Sequence, residues 1–578
     1  MVNCIVLWMT FMRLIGRNNP SVREEPGPSL KHKSAKSAGN FIFNIVHLSD
    51  ETSKHISMRT IRIKSGYALL LFLFLLGGCR NEKVVTPSLP RSTPEKEGVS
   101  SQGIIDFLNA SAKSKNEMHS LIFLRHGKVI AEGWWNPYKP ELHHTLYSLS
   151  KSFTATAIGF AVTEKKLSIN DKVDTFFPDE IPDSVSNFLA GLTVKDLLSM
   201  TAGMDPDPTF KIVANDSNWV KSFLKVPIVN KPGTKFLYNT LATYMLSAIV
   251  QQATGEKVID YLKPRLFGPL AIDGMDWEVD PHGVNCGGWG LRLKTEDLAK
   301  FGQLFLQKGQ WNGKQILLAS WIEEASTKKI DQAPDARQSQ KDSSDWMQGY
   351  CYQMWRCRHN AFRGDGAYGQ YIIVMPDQDA VIAITSETAD MQDELNLVWE
   401  YLLPSVKGNK LPDDAALSST LKQKLTTLAL PLAPAGKSPD IVSKISGNTI
   451  ILDPNDMQLE TINFQFLDSS CKVLIKIGSE NYNFTFGSGK WITGETTLRG
   501  PNLLLQAKAH YVGLPPAKVA GSFVWKDETT LELVLRYIES PHTETITCKF
   551  DKNKILIGFH YSNMPGYIPP EIIGTIKD

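Results

Sequence analysis

The chain has 578 residues, and its 62 basic and 60 acidic side chains leave a formal net charge of only +2. This length exceeds one ordinary domain, so two domains are expected after a targeting segment is removed. The balanced charge argues against a nucleic-acid partner. Seven cysteines without a C-x-x-C pair or regular spacing argue against a disulfide framework or a zinc ribbon. Cys471 and Cys548 could pair only if their strands meet.

A targeting pattern begins well inside the chain. Residues 1 to 57 lack hydrophobic periodicity and are predicted to be disordered. From Met58 onward, basic residues precede an apolar run over residues 67 to 76 and the sequence Leu-Gly-Gly before Cys79, which resembles the lipobox of bacterial lipoproteins. Residues 58 to 78 are predicted to be a signal peptide, Cys79 the lipidated residue and residues 79 to 94 a tether. The alternative is a signal-anchor helix with an incidental cysteine.

The same pattern predicts where the protein resides. Because a signal peptide acts at a true N-terminus, Met58 is the expected start and residues 1 to 57 an upstream extension. Arg80 follows the cysteine. By analogy with lipoprotein sorting, this predicts the outer membrane of a bacterial cell envelope, with the protein facing the periplasm or the cell surface.

A helix and a hairpin follow the tether. Residues 101 to 114 carry apolar side chains at helical spacing and are predicted to form an amphipathic helix. Two apolar strands then flank His126-Gly127-Lys128, which predicts a compact hairpin. A histidine at such a turn is more often solvated than catalytic, so His126 is interpreted as structural.

The segment YSLSKSF, residues 147 to 153, carries the strongest chemical signal. Ser148 and Lys151 lie three positions apart at the start of a predicted apolar helix, so their side chains are expected on one face. A lysine kept neutral by burial can accept the serine proton, and free N–H groups at the helix N-terminus can stabilise an oxyanion. The S-x-x-K spacing recurs elsewhere, but only Ser148 has both an aromatic residue before it and a long apolar helix after it.

Two later segments lead to a second chemical group. Thr193 and Asp196 are predicted to cap a helix that Gly203 ends. The loop PGTKFLYNT then places Tyr238 before an apolar stretch over residues 242 to 250. A phenol beside the amide of Asn239 and the hydroxyl of Thr240 offers an acid/base group and an anchor for a substrate carbonyl. A tyrosine near an apolar helix is more often core packing, so Tyr238 alone would not define a site.

The ordered segments YSLSKSF, TVKDLLSMTAG, PGTKFLYNT and GGWGLRLKTEDLAKFGQLFLQKGQW resemble landmarks of the serine β-lactamase and penicillin-binding protein superfamily. The resemblance is greatest to its class C-like branch and covers about residues 90 to 405. It implies that Ser148 is the nucleophile, Lys151 its base and Tyr238 the tyrosine of the Y-x-N element. Thr240 stands where the family usually has asparagine or serine, so a single hydroxyl replaces the amide.

The family's third element, Lys-Thr-Gly or His-x-Gly on an edge strand, aligns with Gly364-Asp365-Gly366. The basic residue that helps to bind a substrate carboxylate is therefore missing, and Arg363 and His359 are the candidate replacements. The resemblance implies that Gly366 and Ala367 still contact the substrate, with the N–H groups of Ala367 and Ser148 forming an oxyanion hole.

The predicted fold class is α+β. Residues 95 to 406 are expected to form an antiparallel sheet covered by helices with an inserted helical region, residues 407 to 436 a linker, and residues 437 to 578 an all-β barrel or sandwich. The predicted protein is a lipid-anchored serine hydrolase that cleaves an ester or amide in a small-molecule or peptide-like substrate, without a metal or organic cofactor. The alternative is a binding or sensor lipoprotein that retains the fold without turnover.

Overall fold

The computed structural model of the protein describes residues 88–508 and 514–576. The predicted signal peptide and Cys79 lie outside the described residues. Within these residues an α+β domain precedes an all-β domain, as the sequence predicted. None of the helices in the described part of the chain is both long and apolar enough to cross a bilayer.

The α+β domain is built on a six-stranded antiparallel sheet. The strands of this domain are β1 (Glu117–Arg125), β2 (Lys128–Trp134), β3 (His144–Thr145), β4 (Asp276–Trp277), β5 (Leu291–Leu293), β6 (Gln310–Trp311), β7 (Lys314–Gln315), β8 (Trp355–Arg356), β9 (Phe362–Gly366), β10 (Gln370–Met375) and β11 (Ala380–Glu387). The main sheet has the order β2-β1-β11-β10-β9-β8. The predicted hairpin joins β1 to β2, and His126 in its turn contacts Glu97 through Nδ1 at 3.1 Å.

Fifteen α-helices accompany the strands in the described residues, besides shorter 3-10 and π-helical turns. They are α1 (Ser101–Ser111), α2 (Ser150–Thr163), α3 (Asn187–Gly191), α4 (Val194–Leu198), α5 (Thr209–Asn215), α6 (Trp219–Leu224), α7 (Thr240–Thr254), α8 (Val258–Leu262), α9 (Thr295–Leu306), α10 (Ala319–Ser326), α11 (Gln338–Ser343), α12 (Met391–Leu397), α13 (Leu403–Ser405), α14 (Ala415–Thr426) and α15 (Val442–Ile445). Helix α2 is buried over its first twelve residues and packs against α7 and β9. Burial on all sides explains why its sequence is apolar without a polar face.

The predicted cap of α4 is present, but its predicted end is wrong. Thr193 and Asp196 form a reciprocal capping box at its N-terminus. The helix stops at Leu198, and Met200 adopts a left-handed φ of 58° before Gly203 is reached. Gly203 instead occupies a tight approach, where an added Cβ would lie 2.1 Å from the Asn230 carbonyl oxygen.

The all-β domain is a closed barrel. Its strands are β12 (Thr449–Leu452), β13 (Leu459–Leu467), β14 (Ser470–Ile477), β15 (Glu480–Ser488), β16 (Ile492–Thr496), β17 (Ala517–Trp525), β18 (Thr530–Tyr537), β19 (Thr543–Asp551), β20 (Lys554–Tyr561) and β21 (Ile572–Thr575). A parallel pairing of β15 with β17 closes the antiparallel sheet on itself. Cys471 and Cys548 are both buried in this domain as separate thiols.

The barrel is packed firmly on the α+β domain. The segment predicted as a linker contains α14, which lies on α1 and β2 and buries Leu421. Arg536 of the barrel donates two hydrogen bonds to Glu117, at 2.5 and 2.8 Å. Arg292 also lies 3.4 Å from Glu539 of the barrel. A further contact, between Tyr147 and His542, joins the barrel to the turn that carries Ser148.

Candidate active site

Ser148 lies in a short 3-10 turn, Tyr147–Leu149, that leads directly into α2. Ser148 is half-buried, whereas Lys151, in the first turn of α2, is only 1% exposed. The Lys151 Nζ atom lies 3.1 Å from Ser148 Oγ. The geometry predicted for this pair, with both side chains on one face of the helix start, is present.

The surroundings of Lys151 favour its neutral form. Burial lowers the pKa of Lys151 to about 7, because an ammonium group removed from water loses solvation. The negative charges of Asp207 and Asp365 oppose this shift but have a smaller effect. Near neutral pH, much of Lys151 is therefore an amine with a lone pair that can accept a proton.

Three oxygen atoms form a cage around Lys151 Nζ. Ser148 Oγ lies at 3.1 Å, Thr240 Oγ1 at 3.3 Å and the Gly288 carbonyl oxygen at 2.6 Å. The carbonyl can only accept, so it takes one N–H of the amine. When the second N–H goes to Thr240, the lone pair faces the Ser148 hydroxyl. In the ammonium form the third N–H donates to Ser148 Oγ. The three oxygens can therefore hydrogen-bond to both the neutral and the charged form of Lys151.

Gly288 was not among the predicted site residues. A Cβ at this position would lie 2.8 Å from both the Cγ2 and the carbonyl oxygen of Thr240, so only glycine brings the backbone this close. The Gly-Gly-Trp-Gly run at residues 287 to 290 was visible in the sequence. Nothing in that run indicates that one of its carbonyls faces a lysine 137 positions away.

Tyr238 reaches the same place from the loop before α7. Its ring centroid lies 5.0 Å from Lys151 Nζ, a separation at which an aromatic face attracts an ammonium group. The ring stacks on Trp355 with centroids 5.8 Å apart and meets Tyr350 edge-on at 6.4 Å. The predicted convergence of Tyr238 with Ser148 and Lys151 is therefore present. Trp355 and Tyr350 form an aromatic wall that sequence reasoning missed.

The two residues after Tyr238 have different surroundings. Asn239 is 1% exposed, and its Oδ1 accepts a hydrogen bond from the Ala242 N–H at 3.1 Å as the N-cap of α7. The side-chain oxygen of Asn239 is therefore engaged at the helix end, and substrate binding by Asn239 stays a prediction. Thr240 is half-buried beside Lys151 and does face the site.

Strand β9 brings the third sequence element against the nucleophile turn. A Cβ at Gly364 would lie 2.5 Å from Leu149 Cδ1, and one at Gly366 would lie 2.0 Å from the Leu146 carbonyl oxygen. Position 366 requires glycine because it faces backbone, whereas a side chain at position 364 would have to displace the Leu149 and Ser152 side chains. Ala367, at the following turn, is buried. The element thus packs on the nucleophile turn, as the sequence predicted, and position 364 carries no basic side chain.

The candidate replacements for that base are engaged elsewhere. Arg363 is fully buried, and its Nε and Nη2 atoms lie 3.0 and 2.8 Å from Asp365 Oδ2. The guanidinium therefore compensates a neighbouring carboxylate within the protein. His359 packs on Trp399 with ring centroids 5.2 Å apart, and burial lowers its pKa.

Asp207 adds an unpredicted carboxylate. Its Oδ1 accepts hydrogen bonds from the Thr209 N–H at 3.0 Å and the Thr209 hydroxyl at 2.6 Å, and its carboxylate also accepts from the Thr240 N–H. Burial raises the pKa of Asp207, while the Lys151 charge opposes that rise. The ionisable groups that act on Lys151 are thus acidic. Among the described residues, no group of three or more His, Cys, Asp or Glu side chains could share a metal ion.

A serine beside a buried lysine at the start of a helix, with a glycine-rich sheet strand against it, defines a class of serine hydrolases. The sequence model of the Beta-lactamase family matches residues 115–403, which is half of the chain. The chain belongs to this family, within the serine β-lactamase and penicillin-binding protein superfamily, and it is a hydrolase.

Individual relatives are distant. The 6-aminohexanoate-dimer hydrolase of Paenarthrobacter ureafaciens is 25% identical over 295 residues, or 47% of this chain and 73% of that protein. A putative D-alanyl-D-alanine carboxypeptidase of Escherichia coli strain K12 is 23% identical over 234 residues, or 35% of this chain. The chain spans 54%, about half, of that second relative's length.

The solved structures that match this chain also have low sequence identity to it. A putative 6-aminohexanoate-dimer hydrolase from Bacillus anthracis has a TM-score of 0.47 and 21% identity, covering 57% of this chain and 89% of its own. An octameric penicillin-binding protein homologue from Pyrococcus abyssi has a TM-score of 0.42 and 16% identity, covering 82% of this chain and 99% of its own.

Proposed function

We propose that the protein is a lipid-anchored serine hydrolase that cleaves an ester or amide through an acyl-enzyme at Ser148. One observation carries the catalytic assignment: Lys151 is buried 3.1 Å from Ser148 Oγ, with its pKa lowered to about 7. As Ser148 Oγ bonds to the substrate carbonyl carbon, its proton passes to Lys151 Nζ. The leaving group then takes a proton as its bond to carbon breaks, and water releases the acyl group from Ser148.

The roles proposed for the other site residues rest on where these residues lie relative to Ser148 and Lys151. Tyr238 is proposed to assist proton transfer to the leaving group, because its ring lies against Lys151. The N–H groups of Ser148 and Ala367 are proposed to hold the oxyanion, supported by the close packing of β9 on the nucleophile turn. Thr240 keeps the amine of Lys151 oriented.

The assignment of Ser148 can be tested by intact-mass analysis after exposure to a fluorophosphonate. We expect one mass increment on the wild-type protein and none on Ser148→Ala. Ser222→Ala is a matched control, because Ser222 on α6 and Lys225, the C-cap of that helix, have the same three-residue spacing. Labelling that persists in Ser148→Ala would contradict the assignment, and a wild type that never labels would favour a binding or sensor protein.

We propose that neutral substrates are preferred over those with a carboxylate. Position 364 lacks a base, Arg363 is paired with Asp365, and acidic groups act on Lys151. A lost hydrogen bond to a charged group is worth about 1.5 to 3 kcal/mol. We therefore expect kcat/KM for p-nitrophenyl butyrate to exceed that for p-nitrophenyl hemisuccinate by about tenfold or more. A preference for the hemisuccinate would show that another cation serves the site.

The lipid anchor at Cys79 is proposed from sequence alone. Expression of the natural precursor in a Gram-negative host should give an outer-membrane protein whose N-terminus is a lipid-modified Cys79. Cys79→Ser should release the protein from the membrane fraction. Recovery of a soluble wild-type protein that retains residues 1 to 57 would contradict the proposal.

A further inference from the structure

The barrel contains a partly open cavity of about 250 Å³ that is separate from the Ser148 site. Its wall is mostly aliphatic and aromatic and includes Ile462, Val473, Leu535 and Ile557. A cavity with a largely apolar wall can accept an apolar guest. The volume is slightly below the range for drug-sized ligands, which favours a small or slender molecule.

One acidic side chain interrupts this apolar wall. Glu544 occupies an inward-facing position of β19, in line with Ile546, Cys548 and Phe550. It lines the cavity and is only 8% exposed. Among the described residues, no group donates a hydrogen bond to its carboxylate or forms an ion pair with it. Burial alone raises the pKa of Glu544 to about 7.

An unpaired acid at such a position carries a free-energy cost. Burying a carboxylate without a partner is unfavourable, whereas an apolar residue would continue the pattern of β19 at no such cost. Arg499 also lines the cavity; its Nη2 donates to the Leu504 carbonyl at 3.0 Å, and its charge acts on Glu278 of the α+β domain. The cavity therefore contains an acidic group whose pKa no described positive charge lowers, because burial alone shifts it.

The cavity also has an apolar rim. Leu505 is 42% exposed and Tyr567 is 45% exposed, and both line the cavity from the segments that cover the barrel. Large apolar side chains exposed at the edge of an apolar cavity are typical of a ligand entrance.

We propose that the barrel binds a slender aliphatic molecule with a protonated amine at one end, the amine pairing with Glu544 and the chain lying along the apolar wall. The ammonium supplies the charge partner that the carboxylate lacks, and each buried methylene adds to the affinity through the hydrophobic effect. This binding site does not depend on the reaction proposed at Ser148.

Calorimetric titration of the full chain with octylamine, octanol and octanoate tests the proposal. We expect octylamine to bind with one-to-one stoichiometry, at least about tenfold more tightly than octanol, with octanoate weakest. Glu544→Gln should reduce octylamine affinity by about tenfold or more and leave octanol affinity nearly unchanged. Glu495→Gln makes the same charge change at a solvent-exposed position of barrel strand β16, away from the cavity lining, and should have no effect.

A second variant tests whether octylamine and octanol bind in the barrel cavity. Ile475→Trp places a larger side chain in the cavity wall and should reduce the affinity for octylamine and octanol together. Absence of octylamine binding to the wild type would overturn the proposal, as would tighter binding of octanoate. An unchanged octylamine affinity in Glu544→Gln would also overturn it. Fluorophosphonate labelling of Ser148 reports separately on the hydrolase site.

Discussion

At the scale of single residues, the site depends on the balance between burial and charge at Lys151. Burial favours the neutral amine, while Asp207 and Asp365 favour the ammonium form. Burial has the larger effect, and the resulting pKa of about 7 lies close to the pH at which a general base is most useful. The acidic neighbours therefore tune the base without preventing its function.

This balance predicts a pH dependence. We expect kcat/KM for a neutral ester to rise as pH increases through about 7, since the free enzyme requires neutral Lys151. Lys151→Met should reduce kcat by at least about 100-fold. Asp207→Asn removes a charge that raises the pKa of Lys151. The increase of kcat/KM with pH should therefore occur at lower pH in this variant.

Asp205→Asn is the matched control for Asp207→Asn. Asp205 lies in the same loop but is exposed and paired with Lys235. Its replacement should therefore leave the pH at which kcat/KM rises unchanged. Steady-state rates measured across the pH range would check both variants. This account would be contradicted if kcat/KM rose only near the ordinary pKa of lysine. It would also be contradicted if the rise moved to higher pH in Asp207→Asn.

At the scale of elements, the N-terminus of α7 links stability to the site. Asn239 caps this helix, and its immediate neighbours Tyr238 and Thr240 both approach Lys151. Loss of the cap would therefore loosen the backbone that positions both side chains.

We expect Asn239→Ala to lower the free energy of unfolding by about 1 kcal/mol, the usual cost of losing an N-cap. Chemical denaturation would measure this change, and kcat should fall in the same variant. Asn239→Ser retains a capping oxygen and should recover most of both losses. If Asn239→Ala changed only KM, direct contact with substrate would be supported instead.

At the scale of the whole molecule, the barrel contacts the residue immediately before the nucleophile. Tyr147 is 2% exposed and has a left-handed φ of 48°, a conformation that is unfavourable for a non-glycine residue. Its hydroxyl lies 2.5 Å from Nε2 of His542 in the barrel. The Nδ1 atom of His542 lies 2.7 Å from Glu387 at the end of β11. The nucleophile turn is therefore held through His542 of the barrel, which is itself held by Glu387 of the α+β domain.

His542 is therefore expected to be a positioning residue. His542→Ala should reduce kcat by between about tenfold and 100-fold with a smaller change in KM, because a small displacement of the nucleophile has a large effect on rate. His542→Gln keeps a side-chain hydrogen-bonding group and should recover part of the loss. His560→Ala, at an exposed position of β20, should have no effect. An unchanged kcat in a folded His542→Ala protein would exclude this role.

Much of the local structure could be predicted from sequence because it depends on neighbouring residues. The hairpin around His126, the capping box of α4 and the alternation of the barrel strands each follow from a few adjacent positions. The same holds for Ser148 and Lys151, whose three-residue separation places them one turn apart. The predicted helix end at Gly203 failed because a glycine suits both a helix end and a tight backbone approach.

The sequence by itself determined the family, the fold class and the serine, lysine and tyrosine that meet in the site. The tertiary structure alone decided what surrounds them. Thr240 and Gly288 reach Lys151 from 89 and 137 positions away, and His542 reaches Tyr147 from another domain. Desolvation and Coulomb interactions depend on distance in space, not along the chain, so a lysine's pKa or an unpaired acid such as Glu544 becomes evident only after folding.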